Sequence, residues 1–92
     1  MKYDGKIVDR QVGRNAQLFA QSISELDSKE ERYPYLRILI SIIEQAHPEW
    51  DQAPHKDEQI TELIQEMCDA ELDEEEIVEV VHVRDREKNG RN

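Results

Sequence analysis

The stretch YLRILISIIEQAHP, residues 35–48, restricts the fold more than any other part of the chain. Its apolar residues Tyr35, Leu36, Ile38, Leu39, Ile40, Ile42, Ile43 and Ala46 cover about 200° of a helix at 3.6 residues per turn. A helix facing one neighbour needs about half that arc, so this helix belongs at the centre of the domain. Ser28 and Glu31 have the spacing of a capping box at its start. His47-Pro48 ends it, because the residue before a proline is pushed out of the α region. Pro34 removes one hydrogen bond from a helix that starts after Ser28, which predicts a kink or a later start near Tyr33.

Its neighbours are legible by the same periodicity. Val12, Ala16, Phe19, Ile23 and Leu26 recur at spacings of four and three, predicting a first helix over about residues 12–26 with one apolar stripe. Asp9 or Asn15 is placed to cap it, and Leu18 falls off the stripe by about a third of a turn. HPEWDQAPH reads as a loop punctuated by two prolines. A third helix is predicted over about residues 57–71, with Ile60, Leu63, Ile64 and Met67 inward.

The last segment reads two ways. Asp73 and Glu76 form another capping pair and favour a fourth helix. Ile77, Val78, Val80, Val81 and Val83 are β-branched, and their density suits an extended arm; the balance falls on the arm. The expected architecture is therefore all-α. Three helices pack around the second, with a C-terminal arm that is a short fourth helix or an extended segment. Residues 1–83 form one helical domain, and residues 84–92 form a basic, frayed tail. A chain of 92 residues buries only about 60–65% of its unfolded surface. With three glycines and three prolines it has too few turn residues for a sandwich or barrel.

Charge narrows the function. The net charge is −10, and residues 51–83 hold twelve acidic groups against one basic group. That layout argues against direct nucleic-acid binding, which wants a basic face, and favours a solvated acidic surface or a basic protein partner. The single cysteine, Cys68, cannot form an internal disulfide. The first ten residues lack the apolar segment of a signal peptide, and the longest apolar run, ILISII, is far short of a membrane span. The expectation is a reduced, cytoplasmic protein with no membrane partner.

Three short motifs carry a resemblance. GRNAQ at 13–17, SKEER at 28–32 and the Ile-rich helix ending at Pro48 resemble an uncharacterised family of bacterial proteins, mainly from the Bacteroidetes, known as a domain of unknown function. ELIQEMCDAELD at 62–73 is similar to that family's later helix, and the match spans roughly residues 3–80. Gly13, Arg14, Asn15, Gln17, Glu31, Arg32 and Pro48 carry it. Val12 stands where the family has an aromatic residue, and Pro34 departs from its pattern. The resemblance implies a helical fold and a bacterial cytoplasmic setting, and no activity.

Candidate sites follow from the residues themselves. Arg14 and Asn15 either contact a partner through the arginine's donor fork or shape the first helix, with Arg14 paired to Glu30 or Glu31. Trp50 is the only tryptophan; it serves as a lid over the second helix or as a binding anchor. Glu58, Glu62, Glu66 and Asp69 line the outer face of the third helix without a lysine among them. His47, His55, Cys68 and His82 match no compact zinc spacing, DEEE at 73–76 lacks the glycine and alternating ligands of a calcium loop, and no catalytic motif is present. No enzyme activity and no cofactor are expected. The reading is a small acidic adaptor or regulator that binds a protein partner or a second copy as a homodimer. Arg14, Asn15, Leu18, Trp50, Glu58, Glu62 and Glu66 are its candidate contacts. A decoy that mimics nucleic-acid charge against a basic protein is the alternative.

Overall fold

Gly13 sets the start of the first helix. Its φ of 96° lies in the left-handed region that side chains with a Cβ disfavour, and it turns the chain into α1, Arg14–Ser24. The structure, a computed structural model, describes residues 9–68 and 71–89, the side chains of residues 51, 52, 88 and 89 excepted. Neither residue expected to cap α1 does so. Asn15 lies inside the first turn, and Asp9 accepts instead from the amides of Gln11 and Val12 at 2.9 and 3.1 Å, ahead of the helix. Ala16, Gln17, Ala20 and Ile23 form the buried face, while Val12 and Phe19 pack at its margin.

The central helix, α2, runs over Lys29–Ala46. Ser28 Oγ accepts from the amide of Glu31 at 3.1 Å, so the helix begins at the cap rather than near Tyr33. Pro34 is accommodated because it lies on the exposed side, where only one backbone hydrogen bond is lost. Leu36, Leu39, Ile40 and Ile43 are wholly buried. A 3-10 turn, Pro48–Gln52, follows, and then α3, Lys56–Met67. The inward residues of α3, Ile60, Leu63, Ile64 and Met67, are all in the core. The helix stops four residues short of the predicted end, at the Cys68 cap.

The C-terminal segment is a helix, α4, Glu74–Asn89, and not the extended arm that its β-branched residues suggested. Ile77, Val80 and Val81 stand at i, i+3 and i+4 and are buried, so the valines supply a helical core stripe. The helix also passes through residues 84–89, expected to be a frayed tail. The reason is electrostatic: Arg84 binds Glu44 at 2.7 Å, Asp85 binds Lys56 at 2.9 Å and Glu87 binds Arg37 at 2.7 Å. α2 packs against α1, α4 and the 3-10 turn, and α3 packs against α1, α4 and the same turn. The result is a small all-α domain whose core draws on all four helices. Among the described residues, no helix is long and apolar enough to cross a membrane.

Candidate functional site

The break at His47-Pro48 builds more than a helix end. In a 3-10 turn, residues three apart eclipse one another, so Trp50 folds back over His47. The two rings stack with centroids 4.0 Å apart and planes within 6°, while the Trp50 amide donates to the His47 carbonyl at 3.0 Å. Both imidazole nitrogens face carboxylates: Nε2 lies 2.8 Å from Asp9 Oδ2 and Nδ1 lies 3.1 Å from Glu49 Oε2. A cationic ring donates to both at once, a neutral ring to one. Burial on its own would raise the Asp9 carboxyl. The Val12 amide, the His47 hydrogen bond and charge, and the Gln11 amide outweigh it and hold Asp9 below its ordinary range. Its own amide and His47 likewise lower Glu49.

This unit forms one wall of a cleft of about 280 Å³, lined by Asp9, Trp50, Gln59, Glu62, Leu63 and Glu66. The α3 contribution repeats at i, i+3, i+4 and i+7, a single helical face. None of these lining residues is cationic. Glu62 is exposed and forms no ion pair among the described residues. Among the described residues Gln59 Oε1 is buried without a hydrogen-bond partner, an arrangement that disfavours a dry, closed wall there.

Three of the sequence candidates thus converge: Trp50, Glu62 and Glu66. Glu58 stands one turn before Glu62, 3.1 Å from His55 Nδ1, and Asp69 lies outside the described residues. Arg14, Asn15 and Leu18 are exposed on α1 and do not line the cleft. The bridge expected from Arg14 to Glu30 or Glu31 does not form among the described residues. Trp50 packs against the core and also lines the cleft, so the side chain that covers the core is also a wall of the cleft. Sequence reasoning missed Gln59 as a site residue and assigned Asp9 only a capping role. The i, i+3 step from Gln59 to Glu62 was the available signal for the first.

Five basic residues of α2, α3 and α4 are engaged elsewhere. Lys29 meets Glu79 at 2.8 Å, Arg32 holds Glu76 through Nε and Nη2 at 2.8 and 2.9 Å, and Arg37 holds Glu87. Glu44 receives both Arg84 and Lys56. Glu76, Glu79 and Glu87 of α4 are therefore matched by base from α2, whereas Glu62 on the outer face of α3 has no such base among the described residues.

The described residues hold no group of three His, Cys, Asp or Glu side chains in reach of one metal ion. His82 faces Asp57 at 3.2 Å, and Cys68 is buried. A second surface feature lies on the outer side of α2, where Tyr35 and Ile38 are 44% and 50% exposed and Tyr35 meets Phe19 edge to face at 6.1 Å. The wide apolar arc of α2 is thus only partly used by the core. Compared with protein-family models, curated proteins and solved structures, the chain matches none.

Proposed function

We propose that this chain is a protein-interaction module, an adaptor or regulator without a catalytic step, whose partner presents a basic segment to the outer face of α3. The observation that carries this reading is the division of charge. Arg32, Arg37, Lys56 and Arg84 are held in internal ion pairs, while Glu62 stands exposed beside Trp50 with no cation paired to it among the described residues. Like charges at four-residue spacing on a helix are mildly unfavourable, so Glu62, between Glu58 and Glu66, gains from an external cation. The indole adds apolar contact of the kind that anchors protein interfaces. The reduced, cytoplasmic setting belongs to the same reading and is consistent with a lone, buried Cys68.

The test is capture by the immobilised chain from its host, with Glu62→Gln/Glu66→Gln as the matched control. A basic partner retained by the parent chain and lost by the variant, with unchanged helix content, is the expected result. A partner retained equally by both would remove the α3 face from the interface. A captured partner that nucleic acid displaces, and that leaves steeply as salt rises, would turn the reading into the charge decoy.

A second reading rests on the outer side of α2. Tyr35 and Ile38 of α2 are each about half exposed, as is Leu18 on α1, which suits a homodimer or a docked apolar segment. Sedimentation of the parent chain and of Ile38→Asp separates the two: a dimer that dissociates in the variant places the interface on α2.

A further inference from the structure

We propose that the cleft between the 3-10 turn and α3 is a pocket for a guanidinium group, filled by an arginine side chain of the partner. The inference rests on the reading of α3 as the partner-facing surface and names the chemistry that surface takes. Size comes first. About 280 Å³ falls just below the usual range of small-molecule sites, about 300–1,000 Å³, and suits one long side chain rather than a cofactor.

The lining then selects the charge. Asp9, Glu62 and Glu66 contribute carboxylates and no lining residue is cationic. Asp9 is already bound to His47 and to two amides, so Glu62 is the carboxylate available to an incoming group. The remaining lining residues decide between the two side-chain cations. Gln59 Oε1 is a buried acceptor with no donor, one helical turn from Glu62. Trp50 and Leu63 supply an aromatic and an aliphatic wall. A lysine ammonium is a compact, strongly hydrated point charge. A guanidinium is flat, weakly hydrated, stacks on indole and spreads five donors in a plane. It can donate to Glu62, and to Gln59 once that side chain turns its buried oxygen to the cleft, while its faces and stem lie on Trp50 and Leu63. The ammonium gives up more hydration to reach the same acceptors.

The experiment uses the full chain and two peptides of equal length and charge, one with arginines and one with lysines in a Gly-Ser background. Trp50 is the only tryptophan, so its emission reports on the cleft, and calorimetry gives the affinity. The arginine peptide should bind about tenfold more tightly than the lysine peptide and should shift the Trp50 emission. Gln59→Leu should erase most of that preference, weakening the arginine peptide clearly more than the lysine peptide. Glu62→Gln, at an exposed position with no fold to disturb, should weaken both peptides. Equal binding of the two peptides, indifferent to Gln59→Leu but weakened by Glu62→Gln, would overturn the pocket and leave the acidic-face reading standing. Binding of neither peptide would overturn both.

Discussion

Arg84 Nη2 of α4 lies 2.7 Å from Glu44 Oε1 of α2, with the two side chains 17% and 8% exposed. Lys56, the first residue of α3, approaches the other oxygen of Glu44 at 3.0 Å and also meets Asp85 of α4 at 2.9 Å. One carboxylate therefore ties together the end of α2, the start of α3 and the far half of α4. This junction explains why α4 continues past residue 83 although its sequence there is polar. Two cations and two anions sit close together, and each is needed to balance the rest.

The first prediction concerns that junction. Glu44→Ala leaves Arg84 and Lys56 side by side without their shared counter-charge, and should cost about 3 kcal/mol of stability in urea denaturation. A simultaneous Glu44→Leu/Arg84→Met change removes the pair as a unit and should cost clearly less, since apolar replacements of buried pairs are often near neutral. Equal losses for the two variants would mean that packing, not charge balance, dominates here.

Acid should act on the same carboxylate. Burial would raise the Glu44 carboxyl, but hydrogen bonds and charge from Arg84 and Lys56 outweigh it and hold it below its ordinary 4.5; Asp9 is likewise held below 3.8. A group lowered in the folded state makes the unfolded chain bind more protons, so stability rises with pH across that interval. The contribution of both groups is full above their ordinary values and is lost as pH falls through the folded ones. Thermal melts should therefore hold steady from pH 7 to about pH 5 and decline below about pH 4. The decline should be shallower in Glu44→Leu/Arg84→Met, and an unchanged acid slope in that variant would place the sensitive carboxylates elsewhere.

The core offers a third test. Leu39 and Ile43 are both fully buried on α2, one turn apart and facing the same way. Leu39→Ala or Ile43→Ala should each cost about 2–4 kcal/mol, as deletion of buried methyl groups does. Equilibrium unfolding that shows less than about 0.5 kcal/mol at both positions would be incompatible with α2 as the centre of the core.

What was legible in the chain and what was not divides along range. Ser28, the Leu36 to Ile43 face and the inward residues of α3 depend on neighbours within one or two turns, and periodicity exposes them. α4 does not. Its β-branched residues favour strand locally, and the groups that hold it helical, Lys29, Arg32, Arg37 and Glu44, come from a helix more than 35 residues away. The cleft shows the same limit. Trp50, Glu62 and Glu66 could be named singly from exposure and charge. Their meeting depends on the 3-10 turn at Pro48 and on Asp9 crossing to His47, and neither leaves a periodic trace. Arg14 failed in the opposite sense: its charge suggested a bridge to Glu30 or Glu31 that the helix geometry does not make.

His47 gives a fourth prediction. Its ring is nearly buried, stacked on Trp50 and flanked by Asp9 and Glu49. His47→Ala removes an aromatic stack, worth about 0.5–1.5 kcal/mol, together with charge-assisted hydrogen bonds. A loss of roughly 2 kcal/mol is expected, accompanied by weaker near-ultraviolet dichroism and a red shift of the Trp50 emission. His47→Phe should restore much of the stack without the Asp9 link, recovering the emission but not all of the stability. Identical behaviour of the two variants would show that the stack contributes little.

The last prediction separates surface from support on α3. Glu58, Glu62 and Glu66 are exposed and spaced four apart, so Glu62 has a like charge one turn before it and one turn after. Each such pair is unfavourable by about 0.2–0.5 kcal/mol, and among the described residues no cation pairs with Glu62 to offset it. Glu62→Gln removes both repulsions and keeps a good helix former in place. The variant should be as stable as the parent or more stable by a few tenths of a kcal/mol, with the same helix content, and the gain should shrink as salt screens the repulsion. A carboxylate that the fold would be slightly better without, next to a tryptophan, accords with the partner-facing surface proposed for α3. If Glu62→Gln instead loses more than about 1 kcal/mol, Glu62 is supporting the helix, and the face that meets a partner has to be sought on the outer side of α2.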